Sequence, residues 1–282
     1  MFSAFKKFGK LGALASSVAR AWPPLSLWPD GISSAGMWIS PRTLTSEWQD
    51  YTGTTPVVTP GTVADSSNPV GLALDIRAGA TVLTDPGNHM LQSTSAARPL
   101  MSAYDGQTLG PGNTYDATGY PIFQKYDGVD DGMATAAFTA GTLTSAMDCM
   151  IAVRRDSAAS TTLGLNMSSA EVFGYCADGV AAASVVGAGS PTVWVDGVQL
   201  AGGTSVLQST MHTAVTVGDF HIVEWRGLDL SAWTRAKYDA AFPGYSPVGA
   251  RGDILLYPST ASTEDKDAAR QWLADYYGVT LP

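Results

Sequence analysis

Thr192-Val-Trp-Val-Asp-Gly-Val-Gln-Leu200 decides the fold class. Two runs rich in β-branched and aromatic residues flank Asp196-Gly197, and an Asp-Gly pair supplies the two positive φ angles of a two-residue type I′ turn. The stretch reads as a β-hairpin. Runs of the same kind recur on both sides, each bounded by Gly, Asp, Ser or Asn. Before the hairpin they are Pro121–Tyr126, Met133–Phe138, Ala146–Val153, Thr161–Met167 and Glu171–Cys176; after it they are Ala214–Val217, Phe220–Trp225 and Asp253–Tyr257. With 45% apolar and only 15% charged residues, 30 Gly and 16 Pro, the balance is that of many short strands joined by turns. The predicted fold is mainly β.

The end of the chain changes period. Ser262 stands where a helix cap is needed, Asp265 completes a capping box, and Ala268, Ala269, Trp272, Leu273 and Tyr276 recur at helical spacing until Gly278 stops the run. One short helix over 262–277 is predicted to close a β-domain spanning 106–282. Upstream, residues 22–105 are rich in Pro, Gly, Ser and Thr, with Trp22, Trp28, Trp38, Trp48 and Tyr51 spaced through them. They read as an extended arm with short strands such as Val70–Ile76, anchored by its aromatic rings to the sandwich or to a neighbouring subunit.

Residues 1–21 differ again. At about 100° per residue, Phe2, Phe5, Phe8 and Leu11 fall on one side of a helix and Lys6, Lys7 and Lys10 on the other. Pro23-Pro24 ends any such helix. The segment is predicted to be a basic amphipathic docking helix that inserts its phenylalanines into a partner protein, ahead of a membrane surface or the protein's own domain. It also imitates a secretion signal, with Ala19-Arg-Ala21 as the small-residue site, and we expect it to be retained.

Charge and cysteine content exclude several classes. Residues 1–20 hold four basic residues and no acid, so the chain's net charge of −9 leaves −13 on the remainder. Such a body repels nucleic acid. No run approaches the roughly 18 apolar residues of a membrane span. Cys149 and Cys176 are the only cysteines and have no Cys/His cluster around them, which argues against zinc and for buried free thiols.

Four stretches together resemble the concanavalin A-like lectin/glucanase superfamily, in the laminin-G-like version found in bacteriophage virion proteins. Lys125-Tyr-Asp-Gly-Val-Asp-Asp-Gly-Met133 resembles that group's strand-opening signature, and Val193–Val198 its hairpin. Asp253–Pro258 with the helix ending Trp272–Val279 is similar to its terminal strand and closing helix. Leu74-Asp75, Gly87-Asn-His-Met-Leu-Gln92 and Ala97-Arg-Pro99 resemble the lead-in before its sandwich. The resemblance covers residues 70–282 and implies a two-sheet antiparallel jelly-roll sandwich, with homotrimers common among outward phage appendages. It does not imply one activity, because members bind glycans, bind proteins, cleave polysaccharides or build particles.

Site chemistry must therefore be read from residues. Retaining glycoside hydrolysis needs paired carboxyl groups, and none of Glu47, Glu171, Glu224 and Glu264 has an acid two residues away on its strand. His89, His212 and His221 lack a nucleophile motif around them, and His212 and His221 read as polar strand residues. Asp127, Asp130 and Asp131 offer oxygens in one turn and are candidate calcium ligands, although such acids also cap turn amides. Trp233 and Tyr245 are the candidate glycan contacts. Arg251-Gly-Asp253 precedes a strand and reads as a chance match to an adhesion tripeptide. The expectation is a non-enzymatic phage virion protein on the outer surface of the particle. It would be tail-associated or fibre-type, docked to other virion proteins by its N-terminal helix and arm and contacting host glycan or protein. The alternatives are a capsid decoration or head-fibre protein and a polysaccharide depolymerase.

Overall fold

A computed structural model describes residues 23–41, 47–57, 68–103, 122–138, 143–168, 170–201, 206–239 and 247–282. The protein is mainly β, 38% strand against 16% helix. Strand Met147–Arg155 lies at the middle of the first sheet, antiparallel to Phe220–Leu228 on one side and Val248–Pro258 on the other. Gly189–Val195 and Val198–Gln199 extend the sheet past Phe220–Leu228. Ile122–Asp127, Leu100–Ala103 and Met37–Ile39 complete it around the long strand Val248–Pro258. The second sheet runs in the order Val185–Val186, Glu171–Phe173, Asn166–Ser168, Lys237–Tyr238, Met133–Thr135, Met90–Leu91, Leu72–Ala73, Glu47–Trp48. Every pairing in both is antiparallel.

The first sheet is covered on both faces, which explains why its central strands are apolar almost throughout. Along Met147–Arg155, Cys149, Ile151 and Val153 join a core shared with Met90, Met133, Phe173 and Tyr238 of the second sheet. Met150 and Ala152 point the other way, into a core formed with Leu27, Trp28 and the C-terminal helix. Successive side chains alternate between faces, so one strand fills two cores. Both cysteines are buried free thiols.

The hairpin forms as predicted: Trp194 pairs with Gln199 and Val195 with Val198. Among the described residues Asp196 is the sole non-glycine at positive φ, 51°, followed by Gly197 at 83°. The closing helix, α2, runs Thr263–Tyr277. Ser262 Oγ accepts from the Asp265 N–H, and Gly278 takes the left-handed conformation at the other end.

Three expectations change. The short strands inside 22–105 are members of both sheets rather than an arm laid over them, so the boundary at 106 divides the paired strands Leu100–Ala103 and Ile122–Asp127. Trp28 Nε1 donates to Leu256 O at 3.0 Å and Trp38 Nε1 to Asp253 Oδ1 at 2.9 Å, tying this segment to the longest strand. Strands this short leave almost no periodicity to read. Within Val70–Ile76 only Leu72–Ala73 is strand, because Asp75 caps a 3-10 turn over Ile76–Ala78. Ala214–Val217 is not a strand either, and His212 is not a strand residue: Ala214 ends a helix, α1, Gln208–Ala214. That helix is poor in helix formers and is held from outside, by Met211 in the core and by the Arg155 guanidinium on the carbonyls of His212 and Val215.

Candidate functional site

The acidic turn Tyr126–Asp131 closes on itself. Asp127 Oδ1 accepts from the Val129 N–H at 2.8 Å, Asp131 Oδ2 accepts from the Asp127 N–H at 2.8 Å, and Gly128 takes φ 80°. One oxygen of each of these two acids therefore serves the turn. Burial pushes the Asp131 carboxyl up to about 6, and the charges of Asp127 and Asp130 push the same way. Carboxylate oxygens of all three acids lie within 4.8 Å of one another. That spread fits ligands held at about 2.3–2.6 Å from one calcium ion, but at one oxygen each the three carboxylates supply at most half of the roughly six to eight oxygens it takes.

Beside this turn the outer face of the second sheet carries a groove. Met90 and Met133 point into the core, so their neighbours Leu91 and Ala134, paired in register, face outward. Three depressions of about 350 to 430 Å³ each lie along this face. One, at the acidic turn, is lined by Gly132, Gln92, Asp239 and Tyr51; it shares Leu91, Thr135 and Ala136 with a second, walled by residues 83–89. Ala137 joins that one to a third at Met167, Thr234 and Arg235. Tyr51 is 45% exposed at the rim. The lining is mixed: amide, hydroxyl and carboxylate groups beside one accessible ring.

The groove wall is set by a buried hub on Asp75. Its carboxylate accepts from the Trp38 N–H at 3.1 Å and the Asn88 N–H at 2.9 Å, and it is paired with the Arg77 guanidinium at 2.7 Å. Arg77 also donates to Ser34 O, and the Asn88 side chain to Gly36 O. The Asp75 N–H donates to His89 Nδ1 at 2.9 Å. Leu74-Asp75 and Gly87–Gln92, separate in sequence, are thus one structural unit.

The glutamates are committed to structure. Glu224 is fully buried and held by Arg226 and Arg270. Glu47 lies buried between the sheets, where the Gln124 amide donates to it and Arg251 in turn donates to Gln124; burial pushes its carboxyl up to about 7. Arg251 and Asp253 are both 0% exposed, so the Arg-Gly-Asp tripeptide cannot meet a receptor. Glu171 accepts from Ser168, and Glu264 sits in the first turn of α2, where a negative charge suits the helix dipole.

One constellation was not foreseen. His221 Nδ1 lies 2.7 Å from Asp196 Oδ2, and its Nε2 lies 2.9 Å from Thr216 Oγ1. A hydroxyl, an imidazole and a carboxylate in series resemble a nucleophile relay. However, the Thr216 N–H donates to the same Nε2 at 3.1 Å, and Asp196 Oδ1 accepts from the Ile222 N–H. The group closes the loop between α1 and its following strand and pins the hairpin turn to it.

Trp233 is corrected as a glycan contact: it is 3% exposed and stacks on Phe173 with ring centroids 5.8 Å apart. Its turn-like context suggested the surface, but the turn folds inward. Tyr245 lies outside the described residues, as do Phe2, Phe5, Phe8, Leu11, Lys6, Lys7 and Lys10. Among the described residues no helix is long and apolar enough to cross a membrane. Tyr51, expected as an anchoring ring, is instead exposed on the groove, and Gln92 and Asp239 had no expected site role; the three come from separate segments and share no local motif. Compared with known proteins, the chain matches no family model, no curated protein and no solved structure.

Proposed function

We propose that the protein is a non-enzymatic structural protein of a bacteriophage particle, tail-associated or fibre-type, whose jelly-roll, lectin-like sandwich meets the host surface. Residues 1–21 dock it to the particle. The groove on the outer face of the second sheet carries this reading. It is long, open and lined by groups that suit sugar hydroxyls, with Tyr51 available for stacking. The acidic body favours neutral or amino sugars over polyanions. Two experiments test the proposal. Deleting residues 1–21 is expected to abolish incorporation into particles while the protein stays folded; retained incorporation refutes the docking role. The full chain on a glycan array is expected to bind host-envelope saccharides, and an empty array turns the reading toward a capsid decoration or head-fibre protein.

A polysaccharide depolymerase is the second reading, favoured by one observation: Asp131, raised to about 6, stands with Asp127 and Asp130 in the turn that leads into Gly132, a residue of the groove lining. Release of reducing ends from host polysaccharide, lost in Asp131→Asn, is the result that would establish it.

A further inference from the structure

We propose that His89 is a proton-operated latch on the groove wall, closed when the imidazole is neutral and opened by its protonation. The inference rests on reading the groove as the contact site and concerns how that site is regulated. A backbone N–H can only donate, so Nδ1 of His89, which receives the Asp75 N–H at 2.9 Å, must be unprotonated. The ring proton is then on Nε2, which donates to Asp85 O at 2.9 Å. This imidazole has one place left for a second proton, and that place is occupied by the Asp75 amide. Protonation sets two donors against each other at hydrogen-bond distance, inside a site where His89 is only 7% exposed. One of them must move.

The ring is the part free to do so. Residues 81–85 form a self-closed loop in which Asp85 Oδ2 accepts from the N–H groups of Thr81 and Val82, and His89 hangs that loop on the Asp75 hub. The charged groups around the ring are Asp75, its partner Arg77 and Asp85. Asp75 is saturated by the Arg77 guanidinium and by the backbone amides of Trp38, Arg77 and Asn88, which leaves Asp85 as the carboxylate toward which an imidazolium turns. Gly87 keeps the closed state tight: a Cβ there would stand 2.5 Å from His89 Cε1. Because Leu83–His89 wall the groove, releasing the ring changes its shape.

Hydrogen exchange on the full chain, corrected for intrinsic rates, tests the latch. Between about pH 8 and about pH 5, protection of the Asp75 amide is expected to fall at least tenfold (order of magnitude) relative to Ile151 in the central strand. His89→Asn, which keeps an acceptor but cannot titrate, should remove that pH dependence, and Gly87→Ala should lower protection already at neutral pH. Should His89→Asn fail to fold, the 15N shifts of the wild-type ring provide the second measurement. A ring that gains its second proton while the Asp75 amide stays protected overturns the latch, as does pH-independent protection in the wild type. Saccharide binding measured over the same range separates the two proposals: exchange that opens without binding at any pH defeats the contact site alone, and binding with constant exchange defeats the latch alone.

Discussion

Arg270 of the C-terminal helix α2 closes onto Glu224 in strand Phe220–Leu228, and the Glu224 carboxylate is completely buried by the contact. Arg226 completes the pair from the same strand, with its guanidinium 4.4 Å from the centroid of Trp194. The helix therefore docks through a charge as well as through Ala269, Leu273 and Tyr277. Removing Arg270 leaves a buried carboxylate with one of its two cations. Arg270→Met is expected to destabilise by about 2 kcal/mol, less than full loss of a buried partner because Arg226 remains. Urea unfolding checks this, and a change too small to measure would mean that α2 is held by its apolar face alone.

Glu47 makes stability depend on pH. Its carboxyl is raised from 4.5 to about 7 chiefly by burial, so the folded state holds the proton more tightly than the unfolded chain. That contribution is full below the unfolded value and is lost as pH rises through about 7. Thermal unfolding at about pH 5 and about pH 8 should show the wild type losing roughly 3 °C more than Glu47→Gln across the interval. Equal slopes in the two proteins would place the titration elsewhere.

Asp131 has the same sign in a smaller setting. Raised from 3.8 to about 6 by burial, its charged form is the disfavoured one above that pH. Asp131→Asn keeps an oxygen for the Asp127 N–H and is expected to gain about 2 °C at neutral pH and nothing below about pH 4. Millimolar calcium should raise the melting temperature of the wild type and not of this variant if the turn takes up a cation; an equal effect on both removes the turn from consideration as a calcium site.

Tyr51 isolates recognition from folding. Its ring is 45% exposed, so Tyr51→Ala should leave the melting temperature unchanged. Binding of the saccharide found on the array is expected to weaken about tenfold, the order of one stacking contact. Undiminished binding would locate recognition off the groove.

By itself the sequence determined the local geometry: the Asp196-Gly197 turn, the closed turn at Asp127–Asp131, the central strands and the Ser262-capped helix. Each depends on residues within a few positions of one another, where turn chemistry and periodicity act. Tertiary structure decided what has no local signature. Strands of two to four residues in 22–105 exist because a neighbour supplies their hydrogen bonds. Helix α1 persists because Arg155 holds its end, and Trp233 turns inward because Phe173 receives it. The groove belongs to the same class: Tyr51, Gln92 and Asp239 meet through sheet register, and its wall stands on an Asp75–His89 contact that only folding brings together. Through-space partners set burial and charge, and these decide which side chains remain available to a ligand.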